Sequence, residues 1–247
     1  MYSTEVNGQV LEFGTSGLLF RGNKLMYDRA TLSLWHQFLG EPVVGSLANS
    51  GIKLEVLPVL LTTWEEWLEA HPDTTVLDVD TGLYPPEVYF PEYDQRSIYY
   101  RYRESPGTAF PVWRRSSLLG EKAQVLGLIA EGNAKAYPLE LLKQQPVVND
   151  SVGDLALVVV TGGAAGGAGA YQRGPHLFTL GSEESVGRVG DGQGMLTDEG
   201  GDLWRVEEEA LVNIADQSQR LPRLGSHTAY WFGWYSFYPD TGVYGSD

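Results

Sequence analysis

The residues able to do chemistry in this 247-residue chain are few and scattered. Its four histidines, His36, His71, His176 and His227, include no pair at the His-x-x-x-His spacing that puts two metal ligands on one helix face. There is no cysteine, which excludes thiolate ligands, cysteine nucleophiles and disulfides within these residues. No Gly-x-Ser-x-Gly nucleophile turn occurs; GTSG at 14–17 and GSEES at 181–185 come nearest, and both read as ordinary turns. Asp28, Asp73, Asp78 and Asp80 could form a carboxylate pair or a cation site. DVDTG at 78–82 resembles the start of a calcium loop, but the ligands run out after Asp80. Asp78 and Asp80 therefore stand as weak metal candidates, and no cofactor is expected. GGAAGGAGA at 162–170 follows an apolar run as a phosphate loop would, yet Ala170-Tyr171 stands where Lys-Ser/Thr is needed. A β-like stretch, YQRGPHLFTL, comes next, so the glycines read as a turn.

The remaining polar candidates read as structural. His36, beside Trp35, suits half-buried packing in a strand, and His227 suits local capping before a helix. His71 precedes Pro72 at a helix end, where a cation is favoured. Asp73-Thr74 and Asp240-Thr241 suit caps or Asx-turns. No catalytic residue is assigned.

The elements that must position these residues are written twice. WEEWLEAHPDT at 64–74 and WFGWYSFYPDT at 231–241 share Trp-x-x-Trp-x-x-x-x-Pro-Asp-Thr at an offset of 167. At that offset Lys53 meets Arg220, Leu57 meets Leu224 and Val76 meets Val243. Met26 and Trp35 match Met195 and Trp204 at an offset of 169. We expect two copies of one module, near 2–78 and 124–244. Each opens with short β-rich runs: VLEFG (10–14), KLMYD (24–28) and LSLWHQFL (32–39), against HLFTLG (176–181), GMLTD (194–198) and DLWRVEEEALVNI (202–214). Each closes with a helix, over 64–71 and 229–238. In the first, Thr63 and Glu66 have capping-box spacing, Trp64, Trp67, Leu68 and His71 share a face, and Pro72 ends the helix.

The second copy has a longer front, residues 125–163, reading strand, turn, strand, short helix and a hairpin around Asn149–Asp154. The first copy is expected to lack the corresponding roughly 45 residues. The predicted fold is mainly β with short helices, in two related lobes about a pseudo-twofold axis. The predicted parts are 1–78, a connecting arm at 79–123, and 124–247. Both aromatic helices are expected to feed the core, the first with Glu65, Glu66 and Glu69 toward water, the uncharged second buried on most sides.

A net charge of −15 argues against general nucleic-acid binding, which needs Lys and Arg to neutralise phosphates. No run approaches the roughly 20 apolar residues that span a bilayer, and the start shows no secretory signal pattern. The arm at 83–115 is rich in Tyr and Pro with Arg interleaved; Tyr99, Tyr100, Arg101 and Tyr102 are its densest part. It reads as an extended strap over the modules or over a neighbouring protein.

LEFGTSGLLFRGNKLMYDRATLSLWHQFLGEPVVG at 11–45, VLGLIAEGNAKAYPLELL at 125–142, VVNDSVGDLALVVVT at 147–161 and AYWFGWYSFYPDTGVYG at 229–245 resemble a bacterial and archaeal family. It is catalogued only as a domain of unknown function, number three-one-seven-nine. The resemblance runs over nearly the whole chain. In that family, segments similar to Val-Leu-Gly…Ala-Tyr-Pro-Leu…Val-Asn-Asp also precede the first module and lead to a Cys-Pro-x-Cys stretch just before the position of Tyr2. The resemblance implies an extracytoplasmic location, since most members carry secretory signals, and implies no activity.

Together these readings favour an extracytoplasmic binding or structural subunit, with a neighbouring polypeptide or a second copy completing lobe one through open strand edges. The candidate interaction residues are Trp64, Trp67, Asp73, Trp231, Trp234, Asp240 and the Tyr99–Tyr102 run. Two alternatives remain open. One is a partial copy of an enzyme or redox-metal protein with its cysteines elsewhere; the other is a glycan binder using exposed Trp and Tyr.

Overall fold

A computed structural model describes residues 1–59, 61–78, 80, 82–85, 89–91, 93–162, 167–181 and 194–246. The fold is mainly β with short helices. Strands β1 (Glu5–Val6) and β2 (Gln9–Val10) form a small hairpin. Strands β3 (Phe13–Phe20), β4 (Asn23–Asp28), β5 (Leu34–His36) and β6 (Pro42–Val44) make an antiparallel sheet in chain order. Helices α1 (Trp64–Ala70) and α2 (Ile98–Glu104) follow. Next come β7 (Gln124–Ala130), β8 (Asn133–Pro138), α3 (Leu139–Gln144), β9 (Val147–Val152), β10 (Leu155–Gly162) and β11 (Gly167–Gln172). The last part holds β12 (Phe178–Leu180), β13 (Met195–Asp198), β14 (Leu203–Val206), β15 (Ala210–Asn213), β16 (Arg220–Pro222), β17 (Ser226–Tyr230), α4 (Trp231–Phe237) and β18 (Gly242–Val243).

The C-terminal lobe is layered. Helix α4 packs on the sheet β17-β7-β8-β18, which lies over the sheet β11-β10-β9, which in turn lies over the five-stranded sheet β12–β16. Strand β10 is the middle of the sandwich. Because side chains alternate along a strand, Leu157 and Val159 pack toward β7, β8 and α3, while Val158 and Val160 pack toward Phe178, Leu196 and Trp204. That two-sided burial explains why LALVVV is apolar without alternation. Gly127 of β7 lies beneath the Trp234 ring so closely that a Cβ there would sit 2.3 Å from it.

Several expectations need correction. GTSG lies inside β3, at a register shift between Thr15 and Leu19. DLWRVEEEALVNI is two strands, with a turn closed by Glu207 N–H donating to the Ala210 carbonyl. The arm is not extended throughout, because Ser97 caps α2 through the Tyr99 amide. No residue of α1 is buried, so it adds nothing to the core, whereas Trp231, Phe232, Gly233, Trp234, Ser236 and Phe237 of α4 are all buried. The difference is in what lies beneath each helix: α4 packs on β7, and among the described residues α1 packs on no strand to a comparable extent. Of GGAAGGAGA, expected as a turn, Gly162 ends β10 and Gly167–Ala170 belong to β11, held there by pairing with β10. Residues 163–166 and most of GSEES lie outside the described residues.

Candidate functional site

Two local arrangements recur with nearly the same geometry. Asp28, fully buried, accepts the Trp35 Nε1–H at 2.9 Å and the Thr31 hydroxyl at 2.7 Å on Oδ2. The Phe13 ring stands edge-on to Trp35, 5.5 Å away at 84°. Asp198 accepts the Trp204 Nε1–H at 3.0 Å, and Phe178 stands edge-on to Trp204, 5.6 Å away at 85°. Phe13 faces Asp28 across β3–β4, and Phe178 faces Asp198 across β12–β13. Burial alone would push both carboxyls up, but indole and backbone hydrogen bonds to the charged form hold them below the usual range.

The helices recur likewise. Trp67 Nε1–H donates to Thr74 Oγ1 at 2.9 Å, and Trp234 Nε1–H to Thr241 Oγ1 at 3.0 Å. The rings lie against His71 at 4.1 Å and Tyr238 at 4.3 Å. Thr63 and Glu66 form the expected capping box on α1. The threonine, not the aspartate, is the working residue of each Asp-Thr pair: Asp73 and Asp240 are exposed and make no side-chain hydrogen bond among the described residues. The Tyr2 hydroxyl donates to the Gln37 carbonyl, as the Tyr171 hydroxyl does to that of Glu207 at 3.1 Å.

His176, Asp198 and Glu199 bring ligand atoms within 4.8 Å of one another, spacing that could hold a cation. Sequence spacing gave no hint of the trio, because His176 stands well ahead of the adjacent Asp198 and Glu199 in the chain. Asp198 has little capacity left: Oδ1 accepts the Gly200 and Asp202 amides, and Oδ2 faces both the Trp204 indole and His176 Nδ1 at 3.1 Å. Glu199 accepts the Leu177 amide at 2.6 Å. In the first arrangement the Thr31 hydroxyl does for Asp28 what His176 does here, so the trio reads as a brace for the strand end. Asp78 and Asp80 are exposed, and each caps a backbone amide two residues on.

One concavity lies where the two lobes meet. A cavity of about 410 Å³ is lined by Met1–Thr4, Phe13, Met26, Gln37, Leu54 and His227. A second, of about 290 Å³, shares Gln37 and His227 with it and adds Phe38, Tyr230 and Phe232. His227 belongs to β17 and caps nothing; its ring sits among Tyr2, Phe38 and Trp234. His36 is buried rather than half-buried, with Nδ1 accepting the Phe38 and Leu39 amides and its ring edge-on to Phe237 at 4.2 Å. Burial lowers both imidazoles to about 4, leaving them neutral near pH 7. A largely apolar cavity with an uncharged histidine at its edge can hold apolar side chains.

The expected interaction residues lie apart from this cavity. Trp64 and Tyr99 are largely exposed, Trp67, Tyr100 and Tyr102 half-buried, Arg101 exposed, and Trp231 and Trp234 buried. His71 reaches the other lobe through Glu208, 2.8 Å from its Nε2. The arm is held down by Lys122, which donates to the Tyr102 and Ser105 carbonyls, and by Phe110 on Phe232 at 5.8 Å. No described helix is long and apolar enough to cross a membrane.

Residues 1–241 match a family model described as "Protein of unknown function (DUF3179)". No curated protein and no solved structure matches the chain.

Proposed function

The chain belongs to the DUF3179 family, and from that premise we propose that it is an extracytoplasmic, non-enzymatic binding subunit whose N-terminal lobe docks a second polypeptide. We further infer that residues 1–78 and 124–246 are two copies of one module. The recurring contacts support this: the Phe–Trp–Asp arrangement repeats in distance, ring angle and ladder register, the Trp–Thr hydrogen bond repeats in distance, and the Tyr–carbonyl bond repeats in kind.

One observation carries the docking reading. The leading tryptophan of α4, Trp231, is 1 % exposed, while Trp64, which leads α1, is 53 % exposed. Fully burying a large apolar side chain contributes roughly 1.5–3 kcal/mol, so an uncovered indole beside an apolar Leu68 is a surface suited to a partner. The extracytoplasmic part rests on family resemblance alone.

Native mass spectrometry of the protein taken from the cell envelope of its source tests both parts. The expected result is a species heavier than the 27.2 kDa chain, containing a different polypeptide. Recovery solely as a free 27.2 kDa chain, or from the cytoplasm, would overturn the reading.

A further inference from the structure

Stretches far apart in the sequence meet at another concavity, within the C-terminal lobe. A cavity of about 440 Å³ there is lined by Lys135, Leu141, Gln145, Asp150, Tyr244 and Gly245 among others. Small-ligand pockets run to about 300–1,000 Å³. It shares no lining residue with the two cavities between the lobes, and it is independent of docking at Trp64.

Four elements bring these side chains together. Side chains alternate along β8, so Ala136 packs with Val125 and Trp234 while Lys135 and Tyr137 share the opposite face. On β9, Asn149 turns to the Phe178 backbone, and Asp150 turns the other way, to Tyr137. Helix α3 contributes Leu141, and Gln145 stands at its end. Strand β18 runs parallel to β8, and the Tyr244 amide donates to the Ala136 carbonyl at 2.9 Å. The Tyr244 ring thereby stacks on Tyr137 at 5.7 Å. Gly245, at φ +81°, closes the rim, where a Cβ would sit 2.7 Å from Leu141.

The polar groups at this cavity offer both donors and acceptors. Lys135 Nζ lies 2.7 Å from Asp150 Oδ2, and the Tyr137 hydroxyl donates to the same oxygen at 2.9 Å. Burial, and then the Asp150 charge, hold the Tyr137 phenol well above its usual range, so it stays a donor. Asp150 Oδ1 accepts the Ser151 amide. Among the described residues that leaves one acceptor position on the carboxylate and two hydrogens on the ammonium. Gln145 Oε1 accepts the Tyr244 hydroxyl at 2.7 Å, which leaves its amide hydrogens as donors.

We infer that this cavity binds a neutral sugar through a vicinal diol. The ion pair is locally neutral. Its ammonium repels a cation, while its carboxylate and the net charge of −15 repel an anion. A hydroxyl both donates and accepts, so one hydroxyl of a diol takes a hydrogen bond from Lys135 while its neighbour gives one to Asp150. The two side chains are 25 % and 17 % exposed, reachable by a ligand yet partly shielded from water, and bonds to charged groups are the stronger kind. Leu141 and the Tyr244 ring supply apolar surface for the C–H face of the sugar.

An array of neutral, sulfated and uronic-acid glycans, probed with the full chain, tests this. Each hit is then mapped by backbone amide shifts of the isotope-labelled protein. The expected result is saturable binding of a neutral glycan, with shifts centred on Lys135, Asp150 and Tyr244. The matching deoxy sugar, lacking one hydroxyl of the diol, should bind about tenfold more weakly. Lys135→Met should weaken binding by a similar factor. So should Gln145→Ala, whose side chain is exposed and whose Tm should match the parent's. Binding of no neutral glycan overturns the proposal, as does binding of sulfated or uronic-acid glycans alone. Shifts centred on Trp64 or Tyr99, or full-strength binding in both variants, would overturn this site.

Discussion

Thr241 shows how a small residue decides the worth of a large one. Removing its hydroxyl leaves the fully buried Trp234 N–H without an acceptor, and Thr241→Val should cost about 1–3 kcal/mol. The matching change, Thr74→Val, should cost less than about 1 kcal/mol, because water can reach the half-buried Trp67 indole. Urea unfolding of the two variants checks the contrast, and equal losses would contradict it. The buried histidines set a pH dependence. With folded values of about 4 against an ordinary 6.5, His36 and His227 take up protons on unfolding between those limits. Stability should therefore be full above about pH 6.5 and fall as pH drops toward 4. His227→Leu should lower the slope of unfolding free energy against pH in that window by about one proton. At this scale the sequence shows the paired tryptophans plainly. It hides their partners, since Asp-Thr reads as a cap from local preference, while the distant geometry of Trp67 and Trp234 selects the threonine.

Strand β7 owes its place to a residue with no side chain. Gly127→Ala would drive a Cβ to 2.3 Å from the Trp234 ring, and the overpacking should cost at least about 1–3 kcal/mol. The expected readout is a lowered midpoint of thermal unfolding with near-ultraviolet signals perturbed around tryptophan. An Ala variant as stable as the parent would mean that α4 does not rest on β7. Element by element, runs with turn signals on both sides were legible, as in β4, β7, β8 and the β9–β10 hairpin. GTSG was not, because its glycines suit a turn locally and the ladder with β4 overrides them. Helix α1 was legible in its capping box. The second helix, expected over 229–238, starts only at Trp231 because Ala229 and Tyr230 belong to β17, and no side chain caps it. The burial of both depends on residues far away in the chain.

Across the whole molecule, lobe one leans on lobe two through rings. Phe20, His36 and Phe38 pack on Phe237, and Phe38 also meets Trp234. The stretch after α1 has little of this support, with Val76 and Leu77 at 66 % and 88 % exposed. Limited proteolysis should therefore cut first near 72–85, leaving a resistant fragment that contains β7–β18. Initial cleavage inside β9–β11 would contradict the layered core described above. The paired motifs could be read from spacing; how deeply each tryptophan of a pair is buried could be read only once both were placed in space.

The ring cluster between the lobes also sets an order of assembly during synthesis. Residues 13–38 leave the ribosome well before Trp234 and Phe237, on which they rest. Strands β3–β5 should therefore wait, without their partner rings, until Phe237 has emerged, while β7–β10 fold on local contacts. Nascent chains stalled near residue 200 should show β7–β10 protected from a protease pulse and β3–β5 still open.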